Sequence, residues 1–167
     1  RGGRHIPVAQ ALEHVAGYTV FNDISARDLT RRNDFPFKFD WFQGKSFDTF
    51  GPLGPWIVPA SVVGDPQKLQ LNLTLNGKTM QDDTAGNMIF NVAEQISYLS
   101  SILALNPGDV IATGTPNGVG LGYGIFLKAG DTVSASIEHI GTLTNPVVAS
   151  PQSDLKSILI PKTGART

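Results

Sequence analysis

Leu69, Leu71, Leu73 and Leu75 alternate with Gln70, Asn72 and Thr74 and run directly into Asn76-Gly77. The period of two gives a strand with one apolar and one polar face, and Asn-Gly supplies the positive-φ residues of a tight turn. An antiparallel hairpin is therefore the strongest constraint the chain carries, with the returning strand expected over 78–82 and a polar loop over 82–87. Further short strands are expected at 18–21, 56–58, 110–112, 125–127 and 143–148, and over 133–138, where Val133, Ala135 and Ile137 alternate with polar residues. Two helices interrupt them. One spans 8–16, with Gly17 placed as its C-terminal cap. The other follows the capping pair Asn91 and Glu94, carries the apolar stripe Val92, Ile96, Leu99, Ile102 and Leu103, and is stopped by Pro107-Gly108. Between Arg27 and Phe42 the pattern predicts a short helical turn and then an irregular loop, and 44–55 is rich in turn residues. Many short strands with two helices make a β-dominated α+β domain. It is expected to occupy 1–148, with 149–167 as a C-terminal tail.

Composition narrows the function. The 167 residues hold 13 Lys and Arg against 14 Asp and Glu, a net charge of −1, and lack the basic stretch that nucleic-acid binding needs. Charged residues make up 16% of the chain, against about 25% in an average domain. So lightly charged a surface is expected to be covered in part by self-association, as a homodimer. Cysteine is absent, which excludes disulfides, zinc ribbons and cysteine nucleophiles and fits a reducing cytoplasm. No run approaches the roughly 18 apolar residues of a membrane span, so a cytoplasmic protein without a membrane partner is expected. The chain opens on Arg1 rather than Met and enters what reads as the middle of a domain, so part of the protein is expected upstream.

Three groups of residues can carry chemistry. Asp23 stands just past the strand at 18–21, where a carboxylate can ligate Mg2+, Mn2+ or Ca2+, or can pair with a nearby cation such as Arg27. Lys45, between Gly44 and Ser46, is either a surface lysine or a cation aimed at a developing oxyanion. The glycine-rich run from Gly114 to Gly124 lacks the Gly-Lys-Ser/Thr ending of a P-loop and precedes a predicted strand rather than a helix, which argues against nucleotide binding. Thr115 within it can donate a hydroxyl to a carboxylate, or the run simply connects two strands. His5, His14 and His139 are too widely spaced for a local metal motif.

Three motifs in order, Asn22-Asp23-Ile24-Ser25-Ala26-Arg27-Asp28, Gly44-Lys45-Ser46-Phe47-Asp48-Thr49 and Gly114-Thr115-Pro116-Asn117-Gly118-Val119-Gly120, closely resemble the fumarylacetoacetate hydrolase family. Gly130-Asp131 and the Ile-Gly-Thr-Leu segment at 140–143 extend the likeness. The resemblance implies the family's catalytic C-terminal domain, a mixed β-roll with short helices, usually dimeric. It also implies a divalent cation, Mg2+ or Mn2+, held by Asp23 and by two glutamates of a Glu-x-Glu strand that is not among these residues. The family's lid histidine and its glutamate partner are likewise not among them.

By the same resemblance Lys45 contacts substrate oxygens, Thr49 lines the metal site, Thr115 binds the substrate carboxylate, and Arg27 anchors substrate or orients Asp23. Thr30 stands where some fumarylacetoacetate hydrolases carry a substrate-binding glutamine. The expected activity is metal-dependent hydrolysis of a C–C bond in an acylpyruvate-like or other diketo acid, through an enolate that the cation stabilises, in breakdown of aromatic compounds or amino acids. The alternatives are isomerisation or decarboxylation of a 2-hydroxymuconate-type diacid, or a non-catalytic binding domain of the same fold.

Overall fold

The computed structural model describes residues 1–31, 33 and 36–149; the expected tail lies outside these except for its first residue. The hairpin forms as the leucine alternation requires. Strand β3 (Gln70–Leu75) pairs with β4 (Lys78–Thr84) across Asn76 and Gly77, whose φ angles are +51° and +79°, the left-handed pair that a two-residue turn demands. On its other edge β3 pairs with β5 (Thr132–Ile137), and β5 with β6 (Gly141–Pro146), giving the order β4-β3-β5-β6. A separate two-stranded sheet joins β1 (Gly17–Phe21) to β2 (Leu53–Pro59). All of these pairings are antiparallel.

One core cluster lies between the sheets, where Val20 of β1 meets Leu69, Ala135 and Ile140. The other joins Ile6, Ala11, Val92 and Ile96, and Tyr18 packs against both. Four short α-helices among the described residues decorate the sheets: α1 (Arg27–Thr30), α2 (Trp41–Lys45), α3 (Ala60–Val63) and α4 (Val92–Ile102). Helix α4 starts on the predicted capping box, with Asn91 Oδ1 accepting from Glu94 N and Glu94 Oε2 accepting from Asn91 N. Such a cap contributes about 1 kcal/mol. The fully buried Ser100 fastens this helix to the chain start, its Oγ accepting from Ile6 N at 2.9 Å and its carbonyl from His5 N.

Several expectations are corrected. Residues Val8–His14 form a 3-10 helix rather than an α-helix, and Gly17 opens β1 instead of capping a helix. So short a segment gains little from α-helical nucleation and takes the backbone that docks Ala11 on Val92 and Ile96. Gly17 is required by close approach, since a Cβ there would meet Val58 O at 2.4 Å. Helix α2 falls where loop and turn were expected, its first turn capped by Asp40, whose side chain accepts from Gln43 N. The polar segment after Asp82 extends β4 to Thr84 and then turns in a 3-10 helix, Ala85–Asn87. Helix α4 ends at Ile102, ahead of Pro107-Gly108, because Leu105 leaves to bridge Gly3. Segments 110–112 and 125–127 are not strands; Val110 is 64% exposed and Phe126 61%. Their β-rich composition meets no ladder partner among the described residues, and propensity without pairing does not make a strand. No helix among the described residues is long and apolar enough to cross a membrane.

Candidate active site at the mouth of strand β1

Strand β1 ends at Phe21 and delivers Asp23 two residues later, held by Asn22 N donating to Pro52 O at 3.1 Å and Ser25 Oγ donating to the Asp23 carbonyl at 3.1 Å. The carboxylate, exposed to solvent, accepts through Oδ2 from Lys45 Nζ. Lys45 is the last residue of α2, and its ammonium also lies 5.7 Å from the centre of the Trp41 ring, one helical turn earlier. Phe39 stacks on the other partner of that contact, its ring 5.9 Å from Trp41.

What brings α2 to β1 is a tight contact between helices. Gly44 packs on Thr30 of α1 so closely that an added Cβ would stand 1.8 Å from Thr30 Oγ1, and Ala26 N donates to Gly44 O at 2.8 Å. Asp23 and Lys45, 22 residues apart, are thus joined through a glycine that the sequence displays only as a turn residue. Asp23 does pair with a cation, but that cation is Lys45; Arg27, at the start of α1, has no ion-pair partner among the described residues. Thr49 occupies the left-handed region at φ +71°, within a turn closed by Phe50 N donating to Phe47 O. A β-branched residue is strained there.

The glycine-rich run lies against β4. Gln81, 9% exposed, donates from Nε2 to Thr115 Oγ1 and to Pro116 O, both at 2.9 Å. Gly118 touches the same strand, and a Cβ on it would come within 1.9 Å of Met80 O. Thr115 itself is exposed. No hydrogen bond or ion pair among the described residues links Arg27, Thr49 or Thr115 to the Asp23–Lys45 pair. Neither Gln81 nor Trp41 was expected from sequence. The Asp40 cap signals the helix that places Trp41 and Lys45 four apart. Gln81 gives no such signal, because a bulge between Leu73 and Thr74 in the β3–β4 register leaves Met80 unpaired and re-aims the strand.

The described residues offer an incomplete metal site. Asp23 is an accessible oxygen donor with Oδ1 unpartnered among them, but no three His, Cys, Asp or Glu side chains converge. One carboxylate fits one ligand position and does not by itself hold a cation. An open groove of about 520 Å3 lies elsewhere, on the face formed by Trp56, Asn72, Asp82, Ser136, His139 and Thr142, and includes none of the predicted site residues.

A model of the fumarylacetoacetate (FAA) hydrolase C-terminal region matches residues 1–148. The chain is 39% identical to fumarylpyruvate hydrolase from Pseudomonas aeruginosa, whose structure in complex with Mn2+ and pyruvate superposes with a TM-score of 0.81 over 90% of this chain and 61% of that one. It is 41% identical to 5-carboxymethyl-2-hydroxymuconate delta-isomerase from Mycobacterium smegmatis, with a TM-score of 0.80 over 91% of this chain and 55% of that one. Human mitochondrial oxaloacetate tautomerase FAHD2B is 45% identical over 149 residues, 87% of this chain and 46% of that protein. The chain spans about half the length of the curated relatives it matches. Because the match runs through the β1 mouth, the lysine helix and the glycine-rich run alike, the chain belongs to the fumarylacetoacetate hydrolase family.

Proposed function

We propose that this chain carries part of the active site of a metal-dependent hydrolase that cleaves a C–C bond in an acylpyruvate-like or other diketo acid, in breakdown of aromatic compounds or amino acids. The observation that carries the reading is the pairing of Asp23 with Lys45 at the mouth of β1. The similar fumarylpyruvate hydrolase, which binds Mn2+ and pyruvate, supports both the class of ligand and a divalent cation, here Mg2+ or Mn2+. Asp23 would supply one carboxylate to that cation, with Thr49 near it. When bound, the cation supplies Lewis-acid polarisation of the substrate oxygens.

The chain's own residues then have separable tasks. The Lys45 ammonium, held between Asp23 and the Trp41 face, presents positive charge to a substrate oxygen as negative charge builds there. Thr115 donates to the substrate carboxylate, and Arg27, which has no ion-pair partner among the described residues, offers a second cation for an anionic group. In the overall reaction one water supplies a hydroxide to the acyl carbonyl and a proton to the departing carbon, and the bond to the neighbouring methylene breaks. The electron pair stays with the oxo-acid fragment, which takes up a proton to become pyruvate. The protein is also proposed to act as a homodimer.

Similarity to the isomerase and the tautomerase makes the product the deciding measurement. Fumarylpyruvate incubated with the protein and Mn2+ is expected to yield pyruvate and fumarate in equal amounts; a tautomer or double-bond isomer without cleavage would replace the hydrolase reading by an isomerase one. Asp23→Ala is expected to lose at least about 90% of bound Mn2+ and the activity with it, the magnitude expected when a direct carboxylate ligand is removed. Unchanged metal content in that variant would remove Asp23 from the ligand set.

A further inference from the structure

We propose that Gln81 is a positioning residue that sets the direction of the Thr115 hydroxyl, so that its proton is available to an anionic oxygen of the ligand. The inference rests on the reading of Thr115 as a carboxylate-binding group and adds to it the device that aims it.

Gln81 lies on β4 opposite Leu73, with its side chain withdrawn from water. Its terminal amide touches two oxygens at 2.9 Å, Thr115 Oγ1 and Pro116 O. A peptide carbonyl can only accept a hydrogen bond, so the atom facing Pro116 is the amide nitrogen, and the orientation of the whole amide follows. That nitrogen has two hydrogens. One goes to Pro116 O, and the other is left for Thr115 Oγ1. The threonine hydroxyl is therefore an acceptor on its Gln81 side and keeps its own proton to donate elsewhere. No acceptor for that proton exists among the described residues, and the side chain is exposed.

The seat is close-packed. Gly118 lies against Met80 O with no room for a Cβ, which lets the loop approach β4 closely enough for Gln81 to reach both oxygens. The bulge at Met80 turns Gln81 towards the loop. A hydroxyl that is already an acceptor on one side, and whose proton is free, favours the charged oxygens of a carboxylate over a neutral ester carbonyl, which takes a weaker hydrogen bond, and over a group that must itself donate.

The test is binding in the full chain, titrating pyruvate and its methyl ester against backbone amide resonances. Thr115→Val and Gln81→Met are each expected to weaken pyruvate binding on the order of tenfold while changing methyl pyruvate affinity by less than about twofold. The double variant is expected to be no weaker than Thr115→Val alone, and Thr115→Ser to retain binding. Loss of affinity for both ligands alike in Gln81→Met, or a further loss on adding it to Thr115→Val, would assign Gln81 to packing alone and overturn the proposal. Full pyruvate affinity in Gln81→Met overturns it as well. If Thr115→Val binds pyruvate normally, the reading of Thr115 fails first and the proposal falls with it. Gln81→Asn, which withdraws the amide by one methylene, gives the same comparison should the Met variant unfold.

Discussion

Asp131 shows how much a single residue can organise. Its carboxylate, 3% exposed, accepts from Lys128 Nζ at 2.6 Å, from Asn76 Nδ2 at 2.9 Å and from Lys128 N at 2.9 Å. Asn76 Oδ1 in turn accepts from Thr132 N, so the turn of the leucine hairpin is tied to the start of β5. These donors, the Lys128 ammonium first and the Asn76 amide next, hold the Asp131 carboxyl down from its ordinary 3.8 to about 2. A carboxyl depressed on folding contributes stability that is complete above its unfolded pKa and is lost as pH falls through the folded one. The urea midpoint is therefore expected to drop between about pH 4 and pH 2, with Asp131→Asn less stable at neutral pH and flatter across that window. Asp83, lowered by Thr84 N–H and by Asn87, contributes to the same limb, so the difference between wild type and variant isolates Asp131. An identical acid slope in the two proteins would contradict the role.

At the scale of elements, the decisive contact is α1 on α2. Each helix is only four or five residues long, too short to stand alone, and Gly44 against Thr30 is what lets them meet. Gly44→Ala is expected to destabilise the protein by about 1–3 kcal/mol through overpacking and to lower activity beyond that loss, since Lys45 follows directly. Thr30→Ala in the same chain is expected to recover part of the stability. The recovery stays partial because the Thr30 Cβ would still lie 2.9 Å from the new methyl. Thermal melts of the two variants check this, and a Gly44→Ala protein as stable and active as wild type would show that the helices can separate freely. The capping box of α4 was legible in the sequence because a cap is local. Helix α2 is signalled only by Asp40, and that its Lys45 is the cation which meets Asp23 has no local signal.

Over the whole molecule, many apolar residues outside the two core clusters stay exposed, from Val8 to Val148. Ile89 is 92% exposed, and Phe90, Val110, Tyr123, Phe126 and Leu127 are exposed as well. Gln95 ties two of these segments together, its Nε2 donating to Phe90 O at 2.9 Å and to Thr113 O at 3.2 Å. Exposed apolar side chains in number fit an interface, and the proposed homodimer would cover those around Gln95. Light scattering coupled to size exclusion is expected to return twice the chain mass, and Ile89→Glu with Phe90→Glu to shift it towards the monomer. A wild-type monomer at tens of micromolar would leave this surface to another partner.

The leucine alternation, the Asn-Gly turn, the capped helix α4 and the alternating β5 were determined by the sequence alone, because each depends on residues within one turn or one strand of each other. The same holds for the position of Asp23 past β1, which follows from where a β-rich run stops. Tertiary structure decided what no local window contains: whether 110–112 and 125–127 find ladder partners, which cation meets Asp23, and which strand holds Thr115. The last two outcomes turn on a missing Cβ at Gly44, a missing Cβ at Gly118 and a bulge at Met80. Their effect is exerted on residues far away in the chain, and steric room across such a distance has no periodicity for a sequence to display.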